Sequence, residues 1–182
     1  MPSAELPCCA RPTSETSVPH PAALDPDALR KQCDVRFTRR SGPGGQNRNK
    51  VETAVILTHR PTGLVAEANE ERSQARNGEE ALRRLRLSLA VQIREVAAAE
   101  PSPLWRSRSA GGKLRVNPDH DDYPALLAEA LDHLAATGFD PKLAATPLGC
   151  SPTQLVKLLK GEPRALLAAN AARAGLGLHA LR

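Results

Sequence analysis

The sequence SGPGGQNRNK at residues 41–50 constrains the fold most strongly, because it cannot form a regular helix or strand. Three glycines and a proline stand among its first five residues, which predicts a loop with unusual backbone angles. Val35 and Phe37 alternate with polar residues before it and predict a strand that ends near Arg40. An apolar run at 53–59 predicts a second strand after it. The loop therefore connects two predicted strands.

A hairpin and a long helix are predicted directly after this region. Residues 61–63, Pro-Thr-Gly, are typical of a turn between the 53–59 strand and a returning strand at 64–68. From Ser73 to about Val96, apolar residues recur at spacings of three and four, which predicts a helix with one buried face. That stripe consists of Leu82, Leu85, Leu89, Ile93 and Val96.

The flanking segments differ from this central part in composition. Residues 1–22 are rich in Pro, Ser and Thr without periodicity, so we expect a disordered leader. A short helix should follow from Pro26 to about Gln32. A basic linker at 97–122 precedes a module at 123–182 that is rich in Ala and Leu. Prolines at the starts and glycines at the stops predict four helices in that module. These helices are expected at about 124–136, 141–146, 152–160 and 163–174.

The positive charge of the chain is concentrated near the glycine-rich loop. Residues 36–60 contain six basic residues and one acid, Glu52. Their net charge of +5 equals that of the whole chain. A localised basic patch is typical of a nucleic-acid-binding surface, and a solvated basic face is the alternative. The six basic residues are Arg36, Arg39, Arg40, Arg48, Lys50 and Arg60.

Other classes of site are not indicated. The four cysteines, at positions 8, 9, 33 and 150, lack metal-binding spacing, so we expect neither a metal nor an organic cofactor. Reduced thiols, the lack of a secretory or mitochondrial signal and the lack of a long apolar stretch favour a cytoplasmic protein that does not span a membrane. The sequence contains no serine nucleophile elbow.

The residues after the glycine-rich loop follow a recognisable order. This order is Thr53-Ala54-Val55, His59, Pro61-Thr62-Gly63, Arg72-Ser73-Gln74 and Asn77. Together with residues 41–50 it resembles the catalytic domain of the class I peptide chain release factors and of the ArfB-type ribosome-rescue hydrolases. The resemblance covers residues 33–95. It implies an α+β fold over residues 23–96, in which a small sheet carries the Gly-Gly-Gln loop and packs on a long helix, followed by the small all-α module.

The resemblance also implies hydrolysis of the ester that joins a nascent peptide to tRNA on the ribosome. Gly44, Gly45 and Gln46 would be the catalytic residues, since two glycines give a thin probe that can adopt positive φ. The backbone N–H of Gln46 would donate to the developing negative charge, and its side chain would orient water. The implied partners are peptidyl-tRNA and the large-subunit rRNA at the peptidyl transferase centre.

Seven further residues are predicted to bind RNA. They are Arg39, Arg40, Arg48, Asn49, Lys50, Arg72 and Gln74. Asn49 and Lys50 would anchor the loop or contact phosphate. Ser73 either contacts rRNA or caps the long helix. We expect His59 to be a turn or packing residue and Glu52 to pair as a charge, so neither is a predicted base.

The sequence departs from the family pattern at three positions. Asn47 and Arg48 follow the glutamine where many members have His and Val, and Ile56 stands where many have Arg. Arg48 adds a charge that could touch rRNA or tRNA, and the alternative is a branch variant with local repacking. None of the three lies within the Gly-Gly-Gln tripeptide.

The predicted role is codon-independent rescue of stalled ribosomes, or termination. Stop-codon-reading factors carry a separate decoding domain, which we do not expect here. ArfB-type hydrolases sense an empty mRNA channel with a basic tail, and the helices expected at 123–182 do not resemble such a tail. A non-hydrolytic tRNA- or rRNA-binding protein is the alternative, and a DNA-binding regulator is a further one.

Two segments leave alternatives open. WRSRSAGGKLR at 105–115 is either a flexible basic strap onto RNA or a loop that packs its Trp on the domain. LAATPLGCSPTQLVKLL at 143–159 has the proportions of a helix-turn-helix, and Lys157 and Lys160 could reach phosphate. Docking of the module to a protein partner or to the catalytic domain is the alternative.

Overall fold

The computed structural model describes residues 19–39 and 52–182, and in these ranges it confirms the α+β class. Three antiparallel strands form a sheet in the order β1–β2–β3. They are β1 Cys33–Thr38, β2 Ala54–His59 and β3 Val65–Ala68. Each lies where alternating or apolar sequence predicted a strand. The register pairs Thr38 with Ala54 at one end of the sheet and Cys33 with His59 at the other.

One face of the sheet is buried beneath helix α2, Gln74–Gln92. Side chains alternate across a strand, so Val55 and Leu57 of β2 point to the same face, where both are buried. Val35 and Phe37 lie opposite them on β1 but remain 45% and 46% exposed. The difference arises because α2 packs on β2 and β3, whereas β1 is the edge strand on the uncovered side.

Helix α2 begins as the sequence predicts and ends earlier. Ser73 is confirmed as its N-cap, since its hydroxyl accepts a bond from the N–H of Arg76 at 3.4 Å. Leu82, Leu85 and Leu89 are buried, but the helix ends at Gln92, and Val96 is 89% exposed. The prediction that it extends to Val96 is therefore wrong.

The early end of α2 has a tertiary cause. The guanidinium of Arg94 turns back and donates to the carbonyls of Ala90 and Val91 in the last turn of the helix. The Asp132 carboxylate accepts from Arg94 at 3.2 Å and from the backbone N–H of Glu95 at 3.1 Å. These bonds satisfy the helix end from outside the helix, and they redirect the chain.

The four C-terminal helices are confirmed within one residue at every end. They are α4 Tyr123–Ala136, α5 Pro141–Ala145, α6 Pro152–Lys160 and α7 Pro163–Gly175. Helices α4 and α7 pack on α2, and buried residues of the sheet, α2 and these helices form one hydrophobic cluster. A polar contact joins α7 to α2, because Arg164 donates to the hydroxyl of Ser88 at 3.3 Å, and Arg86 donates to the carbonyl of Asp121, just before α4, at 2.8 Å. The module therefore docks on the predicted catalytic domain.

The last residues of the expected disordered leader, 1–22, are part of the described structure. Residues 1–18 lie outside the described ranges, but Pro21–Ala23 form a short 3-10 helix that packs on α2 and α4. Ala22 is fully buried, and its carbonyl accepts a bond from Arg86 at 3.3 Å. His20 caps this turn with its Nδ1 atom 3.0 Å from the N–H of Ala22. The expectation of disorder is therefore wrong for residues 20–22, because they complete the core.

Residues 97–122 contain regular structure. Helix α3, Pro103–Arg108, leads into a two-stranded hairpin of β4, Ser109–Ala110, and β5, Lys113–Leu114. Trp105 is fully buried, and its indole N–H donates to the carbonyl of Leu148 at 2.8 Å. Of the two interpretations of 105–115, the packed one agrees with the structure, since a flexible strap would leave the Trp unburied. The surface it packs on includes the C-terminal module.

No helix within residues 19–39 and 52–182 has both the length and the apolar character required to cross a membrane.

Candidate functional site

The strands that flank residues 40–51 define the candidate site. Thr38 at the end of β1 is the register partner of Ala54 at the start of β2. Opposed residues of an antiparallel pair have Cα atoms about 4.5–5.5 Å apart, so the chain leaves and re-enters the sheet at one place. Several predicted site residues lie between these points, outside the described ranges. They are Gly44, Gly45, Gln46, Arg40, Arg48, Asn49 and Lys50.

Asn77, in the first turn of α2, fixes the chain where it re-enters the sheet. Its side chain is fully buried, and its Nδ2 donates to the carbonyls of Thr53 at 2.7 Å and Glu71 at 3.0 Å. Its Oδ1 accepts from the N–H of Glu71 at 2.9 Å. A buried amide is costly without partners, so these bonds satisfy the side chain and hold Thr53 against the helix.

Gln74 makes a second bond to the same stretch. Its Nε2 donates to the carbonyl of Glu52 at 2.9 Å, one residue before the bond that Asn77 makes to Thr53. We refer to Glu52, Thr53, Gln74 and Asn77 as the clamp. Gln74 is a predicted RNA contact, and the structure shows its amide engaged with protein backbone on an exposed surface. Its binding to RNA stays a prediction.

Arg39 and Arg72, the other predicted RNA contacts in the described ranges, are both exposed. The Nε atom of Arg39 lies 3.7 Å from a carboxylate oxygen of Glu52, which brings Arg39 beside the clamp. More than half of each of these two side chains is exposed, and such pairs contribute only about 0–1 kcal/mol. Arg39 can therefore exchange Glu52 for a phosphate at little cost. Whether Arg39 or Arg72 binds RNA stays a prediction.

His59 is a structural residue at the opposite end of β2. It is 1% exposed, with Nδ1 2.8 Å from Thr62 Oγ1 and Nε2 3.1 Å from Gln32 Oε1. Burial, and then the charge of Arg60, lowers the pKa of His59, so the ring is neutral near neutral pH. A strand rises about 3.4 Å per residue, which puts His59 about 17 Å from the clamp end of β2. This burial and these bonds agree with the prediction that His59 is a turn or packing residue.

Of the basic residues of 36–60 that the structure describes, Arg60 lies apart from Arg39. Arg60 lies at the His59 end of the sheet, where it pairs with Asp34 at 3.0 Å and donates to the carbonyls of Lys31 and Cys33. Its role is to join α1, Pro26–Lys31, to the sheet. It therefore does not contribute to the charge at the clamp end, where Arg39 lies.

The clamp is the part of the site that sequence reasoning missed. Asn77 enters the sequence argument only as one letter of a motif, without a structural role. The signal was its spacing of four and eight from Ala81 and Leu85, which places an amide on the buried face of α2. A buried amide requires hydrogen-bond partners, and Asn77 finds one in the carbonyl of Thr53, the residue before β2.

Comparison with known proteins assigns the family. Residues 25–115, half of the chain, match the family model described as the RF-1 domain. The chain belongs to the peptide chain release factor family. The matched range contains the three-stranded sheet, α2 and the clamp, so the assignment covers the whole candidate site.

Relatives with release-factor names share part of their length with this member of the family. The chloroplastic peptide chain release factor PrfB1 of Arabidopsis thaliana is 54% identical over 70 residues, 38% of this chain and 15% of the relative. Peptide chain release factor 1 of Kineococcus radiotolerans is 45% identical over 86 residues, 47% of this chain and 23% of the relative. Peptide chain release factor 1 of Frankia casuarinae is 38% identical over 143 residues, which are 67% of this chain and 39% of the relative. The chain thus spans well under half of the relatives it matches.

Proposed function

We propose that this protein promotes hydrolysis of the ester of peptidyl-tRNA while bound to the ribosome. Family membership supports the proposal, and so does the Gly44-Gly45-Gln46 tripeptide that the sequence carries between β1 and β2. The observation that carries it is the clamp. Because Gln74 and Asn77 hold residues 52–53 against α2, the chain is fixed at the point where it returns from the tripeptide to the sheet.

The proposed chemistry uses the backbone more than side-chain acids and bases. The Gln46 N–H donates to the oxyanion or to the leaving 3′-oxygen, a contribution of about 3–4 kcal/mol in comparable sites. The Gln46 amide orients the attacking water, and the two glycines before it leave room for the RNA walls of the cavity. Glu52, the described carboxylate nearest to Gln46 in sequence, pairs with Arg39 on the surface, which agrees with a reaction whose other groups come from the ribosome.

We propose further that the reaction needs no stop codon and serves the rescue of stalled ribosomes in the cytoplasm. This part of the proposal rests on the resemblance to the ArfB-type rescue hydrolases, from which residues 123–182 depart, because they are organised as helices packed on α2 rather than as a basic tail. The large-subunit rRNA and peptidyl-tRNA are the proposed partners. A stall would then be sensed by a folded surface.

The experiment compares peptide release from ribosomes carrying labelled peptidyl-tRNA on three mRNAs. One mRNA is truncated at the P site, one places a stop codon in the A site and one places a sense codon there. Release on the truncated mRNA is expected, together with comparable release on the stop-codon and sense-codon mRNAs. Release only at the stop codon would contradict codon independence, and co-sedimentation without release on any mRNA would favour the non-hydrolytic RNA-binding alternative.

A further inference from the structure

Helices α5 and α6 form a helix-turn-helix within the C-terminal module. The turn between them contains Gly149 at φ +61, a conformation that favours glycine. Ala145 before the turn and Leu155 and Leu158 after it are buried between the helices and the rest of the module. The apolar side of α6 is thereby used for packing, and its other side faces outward.

Two aromatic side chains hold this motif in place. The indole N–H of Trp105 donates to the carbonyl of Leu148 in the turn at 2.8 Å, and the hydroxyl of Tyr123 donates to the carbonyl of Leu158 in α6 at 2.7 Å. Both rings are buried. The backbone of α6 is therefore held in place, and binding to its outward face requires little ordering of the backbone.

The outward face of α6 is basic. Thr153, Lys157 and Lys160 are exposed and lie at i, i+4 and i+7, so they share one stripe that spans about 10 Å of helix. Lys142, on α5, is exposed as well. In the described ranges, no carboxylate lies within 4 Å of any of these three ammonium groups.

The acidic residues that neighbour this face in sequence have other partners. Asp140 caps α5 and accepts from the N–H groups of Lys142 at 2.7 Å and Leu143 at 3.4 Å. Glu162 is largely buried and binds Arg164, with Nε 2.7 Å from its carboxylate. Positive charge on the three lysines is therefore available to an external anion.

We propose that Thr153, Lys157 and Lys160, together with Lys142, bind the phosphate backbone of a folded RNA. Charge complementarity with phosphate supports this partner, and lysine is depleted at the centres of protein–protein interfaces. The choice of RNA over DNA rests on the proposed function, which brings the chain to the ribosome. The surface belongs to α5 and α6, whereas the candidate catalytic segment lies between β1 and β2.

The test measures binding of the full-length protein to a labelled RNA stem-loop of about 20 base pairs at several salt concentrations. The triple variant K142Q/K157Q/K160Q is compared with R30Q/K31Q/K113Q, which removes three exposed positive charges elsewhere. Loss of three phosphate contacts should weaken binding by about tenfold or more near 0.1 M salt and reduce the slope of log K against log salt by about 2–3. The control variant should stay within about twofold of wild type.

Three results would overturn the proposal. One is an equal loss of RNA binding in the triple and control variants, which would show only an effect of net charge. Another is tighter binding to a DNA duplex of the same sequence. The third is unchanged RNA binding in the triple variant with loss of ribosome co-sedimentation, which would indicate a protein partner. A Gln46→Ala variant separates this proposal from the hydrolysis proposal, because it should bind the stem-loop like wild type whatever its release activity.

Discussion

Replacing Asn77 with alanine should lower the free energy of unfolding more than removal of an exposed polar side chain does. The change removes the bonds to the carbonyls of Thr53 and Glu71 and to the N–H of Glu71. A half-buried Thr53 carbonyl without a partner costs about 1–3 kcal/mol, and the two bonds at the exposed Glu71 contribute about 0.5–1.5 kcal/mol each. Water can replace part of the latter, so we expect a loss of about 2–4 kcal/mol.

Urea denaturation followed by circular dichroism measures this loss. With a slope of about 2 kcal/mol per molar urea, the midpoint for Asn77→Ala should fall by roughly 1–2 M. Asn117→Ala is the matched control, because Asn117 is exposed and accepts one bond from the N–H of Asp119 at 3.2 Å. Its midpoint should change by less than about 0.5 M. Equal midpoints for the two variants would refute the assigned role of Asn77.

Asn77→Asp is a sharper version of the same experiment. The substitution keeps the shape of the side chain and an acceptor for the N–H of Glu71, but it places a carboxylate oxygen opposite the carbonyls of Thr53 and Glu71. The stability loss at neutral pH should equal or exceed that of Asn77→Ala, since two acceptors then face each other without a proton. An Asn77→Asp variant as stable as wild type would show that the orientation assigned to the Asn77 amide is wrong.

The remaining predictions concern packing and pH. Gly161→Ala should cost about 1–3 kcal/mol, because a Cβ there would lie 2.6 Å from the Tyr123 hydroxyl, whereas Gly175→Ala, with open space, should be neutral or stabilising in thermal melts. Trp105→Phe should cost about 1–3 kcal/mol, because it leaves the carbonyl of Leu148 unpaired, and a melting temperature equal to that of wild type would contradict that bond. Burial lowers the pKa of three histidines from the ordinary 6.5, so the unfolded state gains protons first and the urea midpoint should fall as pH drops below 6.5. They are His20, His59 and His133. A constant midpoint from about pH 7.5 to about pH 5.5 would contradict their neutral burial.

Local signals predicted most of the fold, and tertiary contacts decided the rest. Each C-terminal helix has a proline as its first or second residue, which is compatible with its first turn, and their limits could be taken from the sequence. The end of α2 could not, because Arg94 and Asp132 are far apart in sequence and terminate the helix together. The burial of His20 was unpredictable for the same reason, since its surroundings come from α2 and α4.

The candidate site divides in a similar way. The Gly44-Gly45-Gln46 tripeptide and its neighbours could be recognised from residue order alone, because family motifs are local in sequence. The clamp could not be predicted, because the bond from Asn77 to Thr53 joins residues 24 positions apart. Pattern analysis identifies which side chains are buried, but only the register of β2 on α2 shows which carbonyl an amide meets.

The central claim is that Gln46 and the glycines before it cause peptide release. The most direct measurement is the single-turnover rate of peptide release from stalled ribosomes, for wild type, Gln46→Ala and a matched control, Gln154→Ala, on α6. Gln46→Ala should reduce the rate by at least about tenfold while ribosome co-sedimentation is unchanged, because the substitution disturbs the positioning of water rather than docking. Gln154→Ala should release peptide at the wild-type rate. Full activity of Gln46→Ala would contradict the account.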